Sequence, residues 1–121
     1  MPGLEELFAF GTLSKEFDLK GIKVRLNVLD ARQVQSALNS SYGEDEVARL
    51  VEYKKQILAR SISMVNGVEY IVNPDSPTAT EIKAILDQLG RFHVHVVNAL
   101  YDFYDEMDEE VKDKLEADVK K

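Results

Sequence analysis

The pattern of hydrophobic and polar positions changes along the chain from strand-like alternation to helical spacing. Between residues 15 and 29, apolar side chains alternate with polar ones on both sides of Lys20-Gly21. A period of two predicts strands, and a glycine in a two-residue connection predicts a tight turn. The sequence therefore predicts a β-hairpin over residues 15–29, with one face toward a core and the other toward water.

A first helix is predicted over about residues 30–39. Asp30 is followed three residues later by Gln33, which is the spacing of a capping box. Leu29 and Val34 have the spacing of a hydrophobic staple across the same helix start. Small polar residues then interrupt the apolar pattern, so this helix is expected to be only two or three turns long.

The stretch ILARSISMVNG in the middle of the chain fits two structures. Apolar residues recur with helical spacing from Val47 onward, which predicts a helix over residues 45–65 that stops at Asn66-Gly67. The alternative is a hairpin with Asn66-Gly67 as its turn, since Asn-Gly between apolar residues is a strong hairpin signal. We favour the helix because strand alternation before the turn lasts for only four residues. The following segment, VEYIV, is expected to be a short strand or extended.

A long helix is predicted over residues 79–106, because apolar side chains keep helical spacing throughout this range. Thr78 and Glu81 form a second capping box at its start. At 1.5 Å per residue this helix would be a rod of roughly 40 Å, with Gly90 as the candidate position for a bend. A further capping aspartate predicts a separate terminal helix over residues 108–119.

Together these elements predict a single α+β, mostly helical domain over residues 1–121. In it, an N-terminal hairpin is followed by three to four helices, including one long C-terminal helix. The chain contains no cysteine, which excludes disulfides and thiolate metal sites. It also has no apolar run near the roughly 18 residues of a membrane span, and its acidic N-terminus is unlike a signal peptide. We therefore expect no membrane association and a location in the cytoplasm.

The charge of the chain is strongly negative and concentrated at one end. The formal net charge is −7, and residues 101–121 contain nine acidic side chains against four lysines. Affinity for nucleic acid comes mainly from neutralising phosphates, which this surface would repel. The basic residues elsewhere are interleaved with acidic ones, as on ordinary solvated helix faces. No nucleic-acid partner is expected.

No group of residues in the sequence has the pattern of a catalytic or metal site. His93 and His95 are two residues apart, so on a helix their rings would point in nearly opposite directions and could not share a metal. Glycine-rich phosphate loops and metalloprotease or EF-hand spacings are not present in the sequence. We therefore predict a protein that is not an enzyme and that uses no cofactor and no metal.

The long helix has more apolar surface than one hairpin and two other helices would be expected to cover. Its aromatic residues lie beside the acidic stretch, and aromatic side chains are enriched in protein–protein contacts. The alternative is that these rings pack on the hairpin of the same chain. The predicted partner-binding residues are Leu100, Tyr101, Phe103, Tyr104 and Met107.

Three segments resemble the small tail assembly chaperones of tailed bacteriophages and related small baseplate or tail-hub proteins. They are KEFDLKGIKVRLNVLD, YKKQILARSISMVNG and LYDFYDEM. The resemblance implies a non-enzymatic protein of tail morphogenesis that acts in the host cytoplasm. Such chaperones bind the tape-measure protein and tube subunits. The resemblance does not account for the acidic stretch after Tyr101.

The resemblance leaves two roles open. In the first, the protein is a chaperone that leaves before the virion is complete. In the second, it is a structural baseplate or tail-hub subunit that stays in the virion tail. An apolar helix surface would suit a tail-protein partner in either role, and would also allow a homo-oligomer to form.

Overall fold

This computed structural model describes residues 13–119 of the chain. They contain four antiparallel strands and four helices. The strands are β1 Ser14–Leu19, β2 Ile22–Asn27, β3 Ile62–Val65 and β4 Val68–Glu69. The helices are α1 Ala31–Asn39, α2 Glu46–Ser61, α3 Ala79–Leu89 and α4 Val94–Val119. The predicted fold class is therefore confirmed: the chain is α+β and mostly helical, with a long C-terminal helix.

The first hairpin and the starts of two helices form as the sequence predicts. β1 pairs with β2 through the turn Lys20-Gly21, where φ is 52° and 90° at the two residues. Both halves of the capping box that Asp30 begins are formed at α1. The same is true of Thr78 at α3. These features depend on residues close together in the chain, so local sequence is enough to determine them.

The predicted helix over residues 45–65 is wrong at its C-terminal end. α2 ends at Ser61, and the chain passes directly into β3, so the alternative hairpin is the one that forms. Asn66 and Gly67 are its turn, with φ of 49° and 80°. The backbone N–H of Lys23 donates to Asn66 Oδ1 at 2.8 Å, and the Asn66 N–H donates to the Lys23 carbonyl at 2.8 Å. The free edge of β2 thus offers hydrogen bonds that favour a strand over further helix.

The long helix is also divided differently from the prediction. The predicted helix over residues 79–106 is interrupted between α3 and α4, and the predicted separate helix over residues 108–119 is continuous with α4. The chain turns at Gly90, whose N–H donates to the Leu86 carbonyl at 2.9 Å. His93 Nδ1 then accepts the N–H of His95 at 3.1 Å, which satisfies one free donor at the start of α4.

The core lies where α2, α3 and α4 meet the sheet. Its most deeply buried large side chains have relative exposures of at most 1%: Leu26, Ile57, Leu58, Ile71, Leu89 and Met107. The sheet order is β1-β2-β3-β4, so β2 and β3 are the central strands. One face of the central strands therefore packs on the helices, as the alternation in β2 requires.

A buried polar network attaches α1 to α2. Arg60 is 6% exposed and donates to the Gln56 side-chain oxygen at 2.8 Å and to Ser36 Oγ of α1 at 3.2 Å. Gln56 in turn donates to Glu52 at 3.0 Å, which connects the buried guanidinium to a carboxylate nearer the surface. Burial lowers the pKa of Arg60 from its usual value. An arginine remains charged at neutral pH nonetheless, so these acceptors hold the two helices in one orientation.

Two buried serines lie at and just before a β-bulge in β3, and only one of their hydroxyls is hydrogen-bonded. Leu26 is opposite Ile62 and Arg25 is opposite Met64, so Ser63 is the extra residue. Its hydroxyl oxygen has no hydrogen-bond partner within residues 13–119. Ser61, two residues earlier, donates to the Asn27 carbonyl at 2.7 Å and accepts the Asn27 N–H at 3.2 Å.

These two serines are expected to respond in opposite directions to the same substitution. Ser61→Ala should lower the free energy of unfolding by about 2 kcal/mol, because backbone groups of Asn27 lose their partner. Ser63→Ala should be neutral or stabilise by up to about 1 kcal/mol, because it removes a buried hydroxyl that has no partner. Urea unfolding of the two variants measures the difference. Equal destabilisation by both would contradict the different hydrogen-bonding states of the two hydroxyls.

Candidate protein-binding groove

The residues predicted to bind a partner lie mainly in the interior of the chain. Leu100, Tyr104 and Met107 have relative exposures of 4%, 5% and 0%. The Tyr104 hydroxyl accepts the backbone N–H of Leu29 at 3.4 Å, and burial raises the pKa of Tyr104 above its usual value. At these three positions the expected exposed seam is therefore covered by the chain itself.

The other two predicted residues are half-buried against aromatic neighbours. Phe103 stacks on Phe17 of β1, with ring centroids 4.8 Å apart and planes 10° apart. Tyr101 meets the ring of Tyr53 edge-on at 6.4 Å, and the Lys54 ammonium lies 5.4 Å from the centre of the Tyr101 ring. Burial, with added repulsion from nearby acidic groups, raises the pKa of Tyr101 to about 12. The structure thus has the packing of the alternative, in which the rings contact the chain's own elements.

The two histidines are closer together than helical geometry predicts. Their ring centroids are 4.9 Å apart and their ring planes are 26° apart. This proximity arises because His93 precedes α4 and only His95 lies in the helix. Both residues are exposed. Within the described residues, no group of three or more histidine, aspartate or glutamate side chains is placed to hold a metal ion.

An open groove lies between the sheet and the corner where α3 turns into α4. Its volume is about 530 Å³. The floor consists of side chains with relative exposures of 5% or less. The floor residues are Val24 of β2, Ile62 of β3, Ile85 and Leu89 of α3, and Leu100 of α4. Leu100 is thus a predicted partner-binding residue that does line this groove.

The rim of the groove is formed by large apolar side chains that are partly open to solvent. The rim residues are Ile22, Tyr70, Phe92 and Val96, with relative exposures of 45%, 42%, 44% and 37%. Scattered exposed apolar residues are normal, but a group of them around an apolar concavity marks a binding surface. We call this surface, floor and rim together, the apolar groove.

The apolar groove has few groups that could perform chemistry. Besides the phenol of Tyr70, Gln88 contributes the other polar side chain of its lining. No pair of acid–base groups converges on it, so the lining suits the burial of an apolar surface. Small-molecule sites usually contain several placed polar groups that fix the orientation of the ligand. This lining therefore favours a polypeptide partner that contributes its own apolar side chains.

The groove could not be predicted from the sequence because its walls come from distant segments. Phe92 and Val96 have helical spacing and were assigned to one continuous helix. In the structure they lie on either side of the start of α4, so both turn toward the sheet. The sequence signal for this arrangement is Gly90, the candidate position for a bend.

Comparison with protein-family models, with curated protein sequences and with solved structures finds no match to this chain. Across residues 13–119, none of the helices is both long and apolar enough to cross a membrane.

Proposed function

We propose that this chain is a non-enzymatic tail morphogenesis protein of tailed bacteriophages. It acts as an assembly chaperone that holds an apolar helix of a tape-measure or tube subunit. The observation that carries the proposal is the apolar groove, with its buried floor and its rim of exposed apolar side chains. A chaperone of this kind covers apolar surface of its client until the client polymerises.

The shape and lining of the groove favour a helix as the bound segment. One wall is the sheet and the other is the corner of α3 and α4, and the groove between them is open to solvent. An amphipathic helix presents apolar side chains at positions i, i+3, i+4 and i+7, which is a common way of filling such a groove. Apolar contact then supplies most of the binding free energy, since the lining has few polar groups.

The resemblance to tail assembly chaperones and the groove involve the same parts of the chain. The first resembling segment contributes Ile22 and Val24, and the second contributes Ile62 and Val65. The third segment begins at Leu100 on the floor of the groove. The segments that suggested a tail chaperone are therefore also segments that line the proposed client-binding surface.

Co-expression with the tail proteins of the same genome, followed by pull-down, tests this proposal. We expect a tape-measure or tube subunit to co-purify and to be more soluble in the presence of the chain. Mass spectrometry of purified virions then separates the two roles. A chaperone is missing from the particle, whereas a baseplate or tail-hub subunit is present at stoichiometric level. If no tail protein co-purifies and the virions also lack the chain, the proposal is wrong.

A further inference from the structure

A second exposed apolar surface lies at the opposite end of α2 from the groove. The three side chains that form it have relative exposures of 54% to 78%. They are Tyr42, Val47 and Leu50, and we call them the overhang surface. Val47 and Leu50 belong to the apolar stripe that continues into the core at Leu58, but the first five residues of α2 are all exposed. The stripe therefore extends past the end of the packed body.

The overhang surface has a defined shape because the connection between α1 and α2 packs closely on α2. A Cβ atom at Gly43 would lie 2.6 Å from the Arg49 backbone nitrogen and 2.8 Å from the Ala48 carbonyl carbon, so no larger residue fits there without a shift. The Arg49 side chain also donates to the Gly43 carbonyl at 3.4 Å. The loop that carries Tyr42 is thus held against the first turns of α2.

Three acidic residues directly precede Val47 in the sequence. Glu44, Asp45 and Glu46 are all exposed, and none of them forms an ion pair within residues 13–119. Asp45 is used as the N-cap of α2, where its carboxylate accepts the Ala48 N–H at 2.8 Å. A partner with positive charge next to apolar side chains would match this arrangement.

From these observations we propose that the overhang surface binds a basic, amphipathic segment of a partner protein. A second copy of the chain fits poorly, because a twofold contact would bring two groups of acidic side chains together. Nucleic acid and anionic lipid surfaces would be repelled by the same charges. The inference does not depend on the identity of the groove's client, because the two surfaces share no residues.

Binding at both surfaces would make the chain a two-site adaptor. α2 has 16 residues, which corresponds to roughly 24 Å between its ends at 1.5 Å per residue. The apolar groove contacts β3 at one end, and the overhang surface is at the other. The Arg60 network fixes α1 on α2 near the groove end of that helix. Two bound segments would therefore be held at a fixed separation.

The test uses a designed probe and measures its affinity by fluorescence anisotropy. The probe is a labelled amphipathic peptide of about 18 residues built only of leucine and lysine, with leucine at helical spacing. Its partner probe replaces every lysine with glutamate. The lysine probe is expected to bind the full chain more weakly as salt is raised, and the glutamate probe is expected to bind at least roughly tenfold more weakly.

Two double variants test where the probe binds, and a third double variant is the control. Val47→Ala with Leu50→Ala should lower the affinity for the lysine probe by roughly tenfold or more. The substitutions remove exposed apolar contacts while helix propensity is kept. Glu44→Gln with Glu46→Gln should weaken it by roughly fivefold. Asp102→Asn with Asp105→Asn makes the same charge change on the exposed face of α4, and should change the affinity by less than about twofold.

Three results would overturn the inference. The first is an equal loss of affinity in the α4 control, which would mean that the probe only senses net charge. The second is loss of binding in Phe92→Glu but not in the Val47 and Leu50 variant, which would place the probe in the apolar groove. The third is a dimer in sedimentation that the Val47 and Leu50 variant abolishes, since this would assign the surface to a second copy.

Discussion

Met107→Ala is expected to lower the free energy of unfolding by about 3 kcal/mol. Met107 lies on α4 with a relative exposure of 0%, so truncation would leave a cavity at the junction of the helices and the sheet. Part of the cost is the lost transfer of apolar surface, and the rest arises because a close-packed core cannot collapse fully around the gap. Urea unfolding followed by circular dichroism measures the change.

Leu115→Ala on the same helix is the matched control. Leu115 is 46% exposed, so its truncation should change the free energy of unfolding by less than about 0.5 kcal/mol. Phe103→Asp adds a further check, because it would place a charge against the ring of Phe17. It should destabilise the fold even in dilute solution. A fully stable Met107→Ala variant that fails only to associate would restore the exposed seam that the sequence predicted.

Phe92→Glu is expected to weaken the binding of the proposed client to the apolar groove by at least roughly 100-fold, or about 3 kcal/mol. Phe92 is on the rim of the groove and is 44% exposed in the free chain. A bound apolar helix would cover that position, so the new carboxylate would lose water without gaining a partner. Titration calorimetry with the partner identified by pull-down measures the loss.

The stability of the chain should be almost unaffected by this substitution, since Phe92 is not part of the buried core. Leu115→Glu places the same charge on an exposed apolar residue of α4 outside the groove, and should leave the affinity within about twofold. Equal affinity for Phe92→Glu and Leu115→Glu would show that the client binds elsewhere. It would leave the identity of the client unchanged and would remove only its assignment to the groove.

The features that sequence predicts well are those with all of their hydrogen bonds close together in the chain. The turn at Lys20-Gly21 needs only glycine and the alternation around it. The capping boxes at Asp30 and Thr78 need only a side chain three residues further on. In each case the donor and the acceptor are neighbours, so no knowledge of the rest of the fold is required.

The end of α2 could not be predicted in this way because a distant strand determines it. Ile62 fits a helical stripe and a strand equally well, and Asn66-Gly67 can end a helix or turn a hairpin. What decides between them is Lys23 on β2, which exchanges hydrogen bonds with Asn66 across the sheet. Intrinsic propensity is a weak guide where tertiary contacts can replace one set of backbone hydrogen bonds with another.

The binding surfaces show a similar limit of periodicity. Helical spacing identified Met107 and Val47 as apolar positions on helix faces, but it cannot say which face another element covers. In the structure Met107 is enclosed, while Val47 is 73% exposed. The seam that the sequence assigned to a partner is therefore mostly core, and the start of the apolar stripe on α2 is open to solvent.

The order of the strands has a consequence for how quickly the chain can fold. β1–β2 and β3–β4 are two hairpins with tight turns, so each can form from its own segment. The ladder that joins them pairs Leu26 with Ile62, and all of α1 and α2 lies between these two residues. Closing such a long loop reduces chain entropy before contacts compensate. We therefore expect the meeting of β2 with β3 to limit the folding rate, with the two hairpins and α2 formed earlier.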